Sequence, residues 1–395
     1  MKVLEGKSGI WCLGPGGVAL LPPAFAEAGR LTPEGQAEVR RVGIDRKRPA
    51  DRYSLTVVTA TNCNLGCPYC FQNTGSAAPG RFDPPRIEKL VLDSGTIERI
   101  AGFARSRMRA AGVNGLFVLL FGGEPLLNPA ACLDLLVRLG RLAPVSASMV
   151  TNGVLLHARS AVDLEAAGLR SAQITLDGPA ALHDRLRATR AGRPTFDRIV
   201  DNIAAAQQNT ALTFNFRINT TPEALPFLEE LIHDLATRVD ASRCAIDIAP
   251  VLNYAAMFDS VLDRSASDVA TILRSYATAL DEGFQVGWPS AKSCGFCTER
   301  DGATGAVVNA DGTLYSCWET IGKPGYEVGS IDSGYHDYDP AVWVSCGEFA
   351  VHQTTEPVYE AFDRALTVGL LEMLRSRGPR PRQVPAGHAE GKAPV

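Results

Sequence analysis

No run of about 18 apolar residues occurs anywhere in this 395-residue chain, so nothing in it reads as a membrane-spanning helix. The opening MKVLEGKSGIWCLGPGGVALLPP lacks a basic segment followed by an unbroken apolar one, the build of a secretory signal. The cytoplasm is the expected compartment. Basic residues are not in excess either: 39 Lys and Arg against 43 Asp and Glu leave a formal charge of -4. That removes the electrostatic footprint of a nucleic-acid binder and of a polybasic membrane patch, and leaves a small or peptidic partner. What remains, 46% hydrophobic and 21% charged residues, is the composition of a globular protein with a sizeable core.

From residue 54 onward, short β-branched or apolar runs alternate with segments of helical periodicity. The runs are 54–60, 115–121, 145–151, 171–176, 212–219 and 244–250; helical patterns cover 94–112, 128–142, 158–168, 196–209, 224–239 and 265–283. Strand alternating with helix argues for parallel strands with crossover helices. Six such units fall two short of a closed barrel. The predicted fold is therefore α/β, a partial (β/α)6 barrel over 54–284, with its chemistry at the carboxyl ends of the strands. An N-terminal hairpin and helix occupy 1–53. After 284 the pattern gives way to a small Cys-containing module, 285–358, in which Ala-Asp-Gly within GAVVNADGTLYSC turns a hairpin. A helix follows at 359–376, and the Pro/Gly-rich tail, 377–395, reads as disordered.

Ten cysteines in a reducing compartment are poor disulfide candidates and better metal or redox groups. Cys12, Cys132 and Cys244 stand alone in apolar surroundings and read as small buried hydrophobes. Cys63-x3-Cys67-x2-Cys70 follows the first strand directly. Three thiolates on so tight a loop suit three corners of an iron–sulfur cube, with zinc as the competing reading. Cys294-x2-Cys297-x19-Cys317-x28-Cys346 forms a second set, and its spacing fits zinc and a cluster about equally.

The first motif, with Tyr69 before its last cysteine and FGGEP at 121–125, resembles the radical S-adenosylmethionine (radical SAM) enzymes over roughly residues 54–350. The resemblance implies a [4Fe–4S] cluster on Cys63, Cys67 and Cys70 whose fourth iron is chelated by SAM. Reductive cleavage of SAM then yields a 5′-deoxyadenosyl radical. It also implies that Gly122, Gly123, Glu124 and Pro125 hold the methionine amino group and that Tyr69 lines the adenine side. Thr151, Asn152, Thr175 and Arg187, at or just beyond later strand ends, are candidate cofactor contacts, with Arg217 and Asn219 facing the same cavity or merely paired. Asp177 is nominated as substrate base, with Glu299, Asp301 and Glu319 behind it. His183 and Asp184 follow it in sequence.

The hairpin phrase and the later EVGSI are similar to the SPASM/Twitch extension of the same enzymes. That implies one auxiliary [4Fe–4S] cluster on Cys294, Cys297, Cys317 and Cys346, since the further cysteines of a full SPASM module are missing. The expected activity is modification of a ribosomal precursor peptide, with electrons from a flavodoxin- or ferredoxin-type donor. Two alternatives stand beside it: dehydrogenation of a small-molecule alcohol, and a non-catalytic zinc- or cluster-binding module.

Overall fold

The computed structural model describes residues 1–47, 49–70, 72, 87–251, 258–289, 299–344 and 357–378. Six parallel strands form its centre: β6 (Tyr53–Ala60), β7 (Leu116–Gly122), β8 (Val145–Thr151), β9 (Leu169–Leu176), β10 (Thr213–Thr220) and β11 (Cys244–Pro250). They lie in chain order, and among the described residues β6 and β11 do not pair, so the barrel stays open. This is the α/β partial barrel expected from the alternation.

The outer wall is built by α2 (Ser94–Ala111), α3 (Pro129–Gly140), α4 (Ala158–Ala166), α6 (Phe196–Asn209), α7 (Leu228–Arg238) and α8 (Ala266–Asp281). Their apolar stripes meet the outward residues of the strands. On β10, for example, Phe214, Phe216 and Ile218 are buried in the core while the alternate positions are Asn215, Arg217 and Asn219. The strand period of two thus separates a dry outer face from a polar inner one. A short helix, α5 (Ala180–Leu186), lies between β9 and α6.

The later strands extend the barrel's own sheet. After β12 (Gln285–Val286), which pairs with β11, β13 (Gly305–Val308) runs parallel to β6, and β14 (Thr313–Tyr315), β15 (Glu327–Ser330) and β16 (Gly334–Tyr335) continue antiparallel. The predicted hairpin is present as β13 and β14. Cys294, Cys297 and Cys346 lie outside the described residues, as does the tail beyond 378.

At the N-terminus three strands stand where a hairpin was expected: β1 (Lys2–Gly6), β2 (Gly9–Gly14) and β3 (Gly17–Leu21), followed by the short pair β4 (Ala26–Glu27) and β5 (Arg30–Leu31) and by α1 (Pro33–Val42). Helix α9 (Pro357–Ser376) fastens this sheet through a small core of Leu4, Trp11, Leu13, Val18 and Leu371. Glu372 adds a polar clamp, accepting from Ser8 N at 3.0 Å and from Trp11 Nε1 at 2.9 Å. Leu371→Ala should destabilise this contact by about 2–5 kcal/mol. Hydrogen exchange of the amides in β2 should speed up while those of β8 stay protected; equal acceleration in both would contradict a separately fastened sheet.

Candidate active site

The cysteine loop leaves β6 at Ala60 and is stitched down on both sides. Glu124 N donates to Asn62 O at 3.0 Å, Gly66 N to Ala188 O at 3.3 Å, and Arg190 N to Asn64 O at 3.0 Å. Arg190 Nε also donates to Cys63 O at 2.9 Å. Burial pushes the Cys67 thiol up to about 12 and raises Cys63, so in this dry loop thiolates form only against a nearby cation. Among the described residues no three His, Cys, Asp or Glu side chains converge as they would on a single ion. The donor set of Cys63, Cys67 and Cys70, separate yet within one another's electrostatic reach, fits a cluster whose irons sit at separate corners.

Gly122 and Gly123, expected to help hold the methionine amino group, also let the cysteine loop pack against the turn. A Cβ on Gly122 would stand 2.2 Å from Ala60 O, and one on Gly123 would stand 2.5 Å from both Thr61 O and Asn62 O. The φ of Gly122, 146°, is a further reason for glycine there. Glu124 is fully buried. Its Oε1 accepts from Leu126 N at 2.9 Å and Thr151 Oγ1 at 2.7 Å, and its Oε2 accepts from Asn152 N at 2.8 Å. Burial raises its pKa against the pull of these hydrogen bonds. Asn152 carries the chain of contacts back to the loop, its Nδ2 lying 2.8 Å from Asn64 Oδ1 and 3.7 Å from Cys63 Sγ. In this arrangement Glu124 and Thr151 brace the strand ends, and Pro125 starts the turn that follows.

A second cluster stands beside the last two cysteines. Tyr69 donates to Asp177 Oδ2 and accepts from Arg187 Nη1 at 3.0 Å and Asn219 Nδ2 at 3.4 Å. Its ring meets Phe258 edge-on at 5.5 Å. All four polar residues are buried, and Asp177 Oδ1, Arg187 Nε and Asn219 Oδ1 have no hydrogen-bond partner among the described residues. Buried polar atoms left open in one place mark a site that a polar ligand completes. Burial lifts Asp177 to about 6, against the opposing pull of Arg187. Thr175, one layer below Asp177, pairs in register with Arg217.

His183 and Asp184 turn to structure instead. His183 Nδ1 accepts from Asp177 N at 3.3 Å, and burial holds its imidazole well below the usual range and therefore neutral. Asp184 Oδ1 accepts from Thr195 N and Phe196 N at the start of α6. Two proposed bases are committed to other contacts: Glu299 pairs with Lys47 and Thr304, and Asp301 accepts from Tyr338 at 2.7 Å. Glu319 is buried beside Cys317 and Trp318. Lys323, held below the usual lysine range by burial, feels Glu319, Cys317 and Cys70, which brings the later module up to the cysteine loop. Trp318 stacks on Phe121 at 5.6 Å, just before the Gly-Gly turn. Neither Lys323 nor Trp318 could be singled out beforehand, because no local motif marks a contact across 200 residues.

Residues 57–218 match the Radical SAM superfamily. The chain carries a radical SAM domain. Its relatives include the GTP 3′,8-cyclase of Xanthomonas campestris pv. campestris (strain B100), 29% identical over 296 residues, 68% of this chain and 79% of that one. The GTP 3′,8-cyclase of Rhodopirellula baltica is 34% identical over 154 residues, and the matched part spans 39% of this chain and only 38% of that relative. An AdoMet-dependent heme synthase of Methanosarcina barkeri is 29% identical over 161 residues, covering 40% of this chain and 39% of its own. Among solved structures, native anSMEcpe with bound AdoMet superposes with a TM-score of 0.56 at 16% identity, over 79% of this chain and 84% of its own. At that identity the likeness is one of fold. In the radical SAM domain, then, the glycine turn and the cysteine loop form one packed unit. Gly123→Ala should push the loop off Thr61 and Asn62 and cut iron uptake on anaerobic reconstitution to below about half. Gly66→Ala, with open space around it, should leave uptake unchanged. Equal uptake by both variants would show that the packing does not hold the loop.

Proposed function

We propose that this chain is a radical SAM enzyme that modifies a peptide. Cys63, Cys67 and Cys70 would hold three irons of a [4Fe–4S] cluster, with the Tyr69, Asp177, Arg187 and Asn219 cluster beside SAM. When bound, that pair supplies a 5′-deoxyadenosyl radical able to take a hydrogen atom from substrate. Asp177 is the proposed acceptor of the substrate's proton. Its Oδ1 has no hydrogen-bond partner among the described residues, and a carboxyl lifted by burial to about 6 exchanges protons near neutral pH. Cys294, Cys297, Cys317 and Cys346 are proposed to hold an auxiliary cluster that accepts an electron from substrate. A cytoplasmic flavodoxin- or ferredoxin-type protein is the proposed donor.

The observation that carries the choice of substrate is charge balance. Among the described residues on the inner face and beside the later module, Arg187 stands 3.9 Å from Asp177, Arg217 stands 3.1 Å from Asp247, and Lys323 lies in the field of Glu319, while Arg190 at the rim spends its Nε on Cys63 O. A nucleoside triphosphate brings about four negative charges into such a space and needs surplus cations to offset their desolvation. A peptide backbone brings none. The fold itself admits peptides in anSMEcpe, solved with AdoMet and the Kp18Cys peptide.

The second reading, a reaction on GTP, draws on the names of the curated relatives. The two separate cleanly. With reconstituted, dithionite-reduced protein and SAM, peptides translated from reading frames beside the gene should raise 5′-deoxyadenosine formation about tenfold, a drop of about 1.4 kcal/mol in the barrier, and change in mass. GTP should do neither. Stimulation by GTP with conversion to a cyclised product would replace the peptide reading.

A further inference from the structure

The inner face of a closed barrel is packed with branched aliphatic side chains. Here the inner face of β9 to β11 is polar and partly open to water. Gln173 and Thr175 on β9, Asn215 on β10 and Asp247 on β11 are each half-buried, while their outward neighbours Ile174, Phe216 and Ile248 are in the core. The register sets these residues in layers: Arg217 lies opposite Thr175 on one side and Asp247 on the other, and Asn215 lies opposite Gln173. Asn219 is two residues further along β10, about 6.6 Å up the strand, and touches Tyr69. The Arg217 layer is thus the first below the cluster beside the cysteine loop.

The Arg217–Asp247 pair is only half used. Arg217 Nη1 donates to Asp247 Oδ2 at 3.1 Å, and among the described residues no other hydrogen bond engages either side chain. A guanidinium has five N–H donors and a carboxylate two oxygens, and a structural Arg–Asp brace ordinarily spends them in a two-point fork. A single-point pair, with Arg217 only 7% exposed, offsets little of the cost of burying two charges. What it does offer is a set of free donors next to a free acceptor, on adjacent strands in one layer. That is the complement of a backbone amide, which has one carbonyl to accept and one N–H to donate. A polyanion would meet Asp247 as a like charge.

We propose that Arg217 and Asp247 form a clamp for the substrate's peptide backbone, with Arg217 donating to a carbonyl and Asp247 accepting an amide N–H, one layer below the SAM side of the barrel. The proposal rests on the peptide reading above and adds to it the residues that select the substrate. It also explains why these inner positions are polar where packing would call for aliphatic residues.

The test is affinity-selection mass spectrometry on the cluster-loaded, SAM-bound full chain, with a pool of N-acetylated, C-amidated tetrapeptides as probe. The wild type should retain a subset of the pool, and Arg217→Gln and Asp247→Asn should each weaken that retention at least tenfold. A double variant, Arg217→Met/Asp247→Leu, replaces the pair by apolar groups of similar size; it should keep the wild-type melting temperature and iron content and still lose the peptides. Peptides held equally by wild type and variants would overturn the clamp and leave the peptide reading standing. A wild type that retains no peptide would overturn both, and the two failures differ in whether binding is seen at all.

Discussion

A carboxylate with no exposed surface, Glu124, holds the reactive end of this barrel together. Desolvating it is costly, and three hydrogen bonds, from Leu126 N, Thr151 Oγ1 and Asn152 N, offset part of that cost. Those bonds tie the end of β7 to the end of β8. Its own N–H reaches Asn62 in the cysteine loop, and Asn152 reaches Asn64 and Cys63. The glycines before it allow the two backbones to touch. One buried carboxyl group therefore fixes the position of the loop that carries Cys63, Cys67 and Cys70.

Around that brace the barrel divides by polarity. Outward strand residues are packed against helices, and on β9 to β11 the inward ones, from Asp177 and Asn219 down to Gln173 and Asn215, are polar. The open atoms of Asp177, Arg187 and Asn219 lie at the top of this inner face, and the Arg217–Asp247 pair lies beneath them. Reactive radical chemistry needs substrate held close and in one orientation, and the polar groups of this inner face supply hydrogen-bonding partners for that.

Much of this was legible beforehand because it is local. The six barrel strands lie within about two residues of their expected ends, since each joins an apolar outer face to a turn-rich strand end. The cysteine spacing, Tyr69 and the Gly-Gly-Glu-Pro turn could be found by inspection. What could not be read was pairing over long separations. Nothing in the hairpin at 305–315 announces that β13 adds in parallel to β6, some 250 residues earlier, and so turns an expected separate module into a continuation of the sheet. The partners of the Glu124 carboxylate, Thr151 and Asn152, are reached only through the fold and could not be read from the motif. Helix α5 is seven residues long and begins after Pro179, too short to show a period. The third N-terminal strand hid behind a Gly-Pro-Gly-Gly turn.

The central claim is that Cys63, Cys67 and Cys70 hold a cluster with one iron left for SAM. Mössbauer spectroscopy of a Cys294→Ala/Cys297→Ala variant reconstituted with ⁵⁷Fe tests it most directly, because only the first cluster then contributes. On adding SAM, one iron in four should shift to the signature of a site with nitrogen and oxygen ligands while the other three stay unchanged. A spectrum indifferent to SAM, or protein that takes up zinc and no iron, would contradict it.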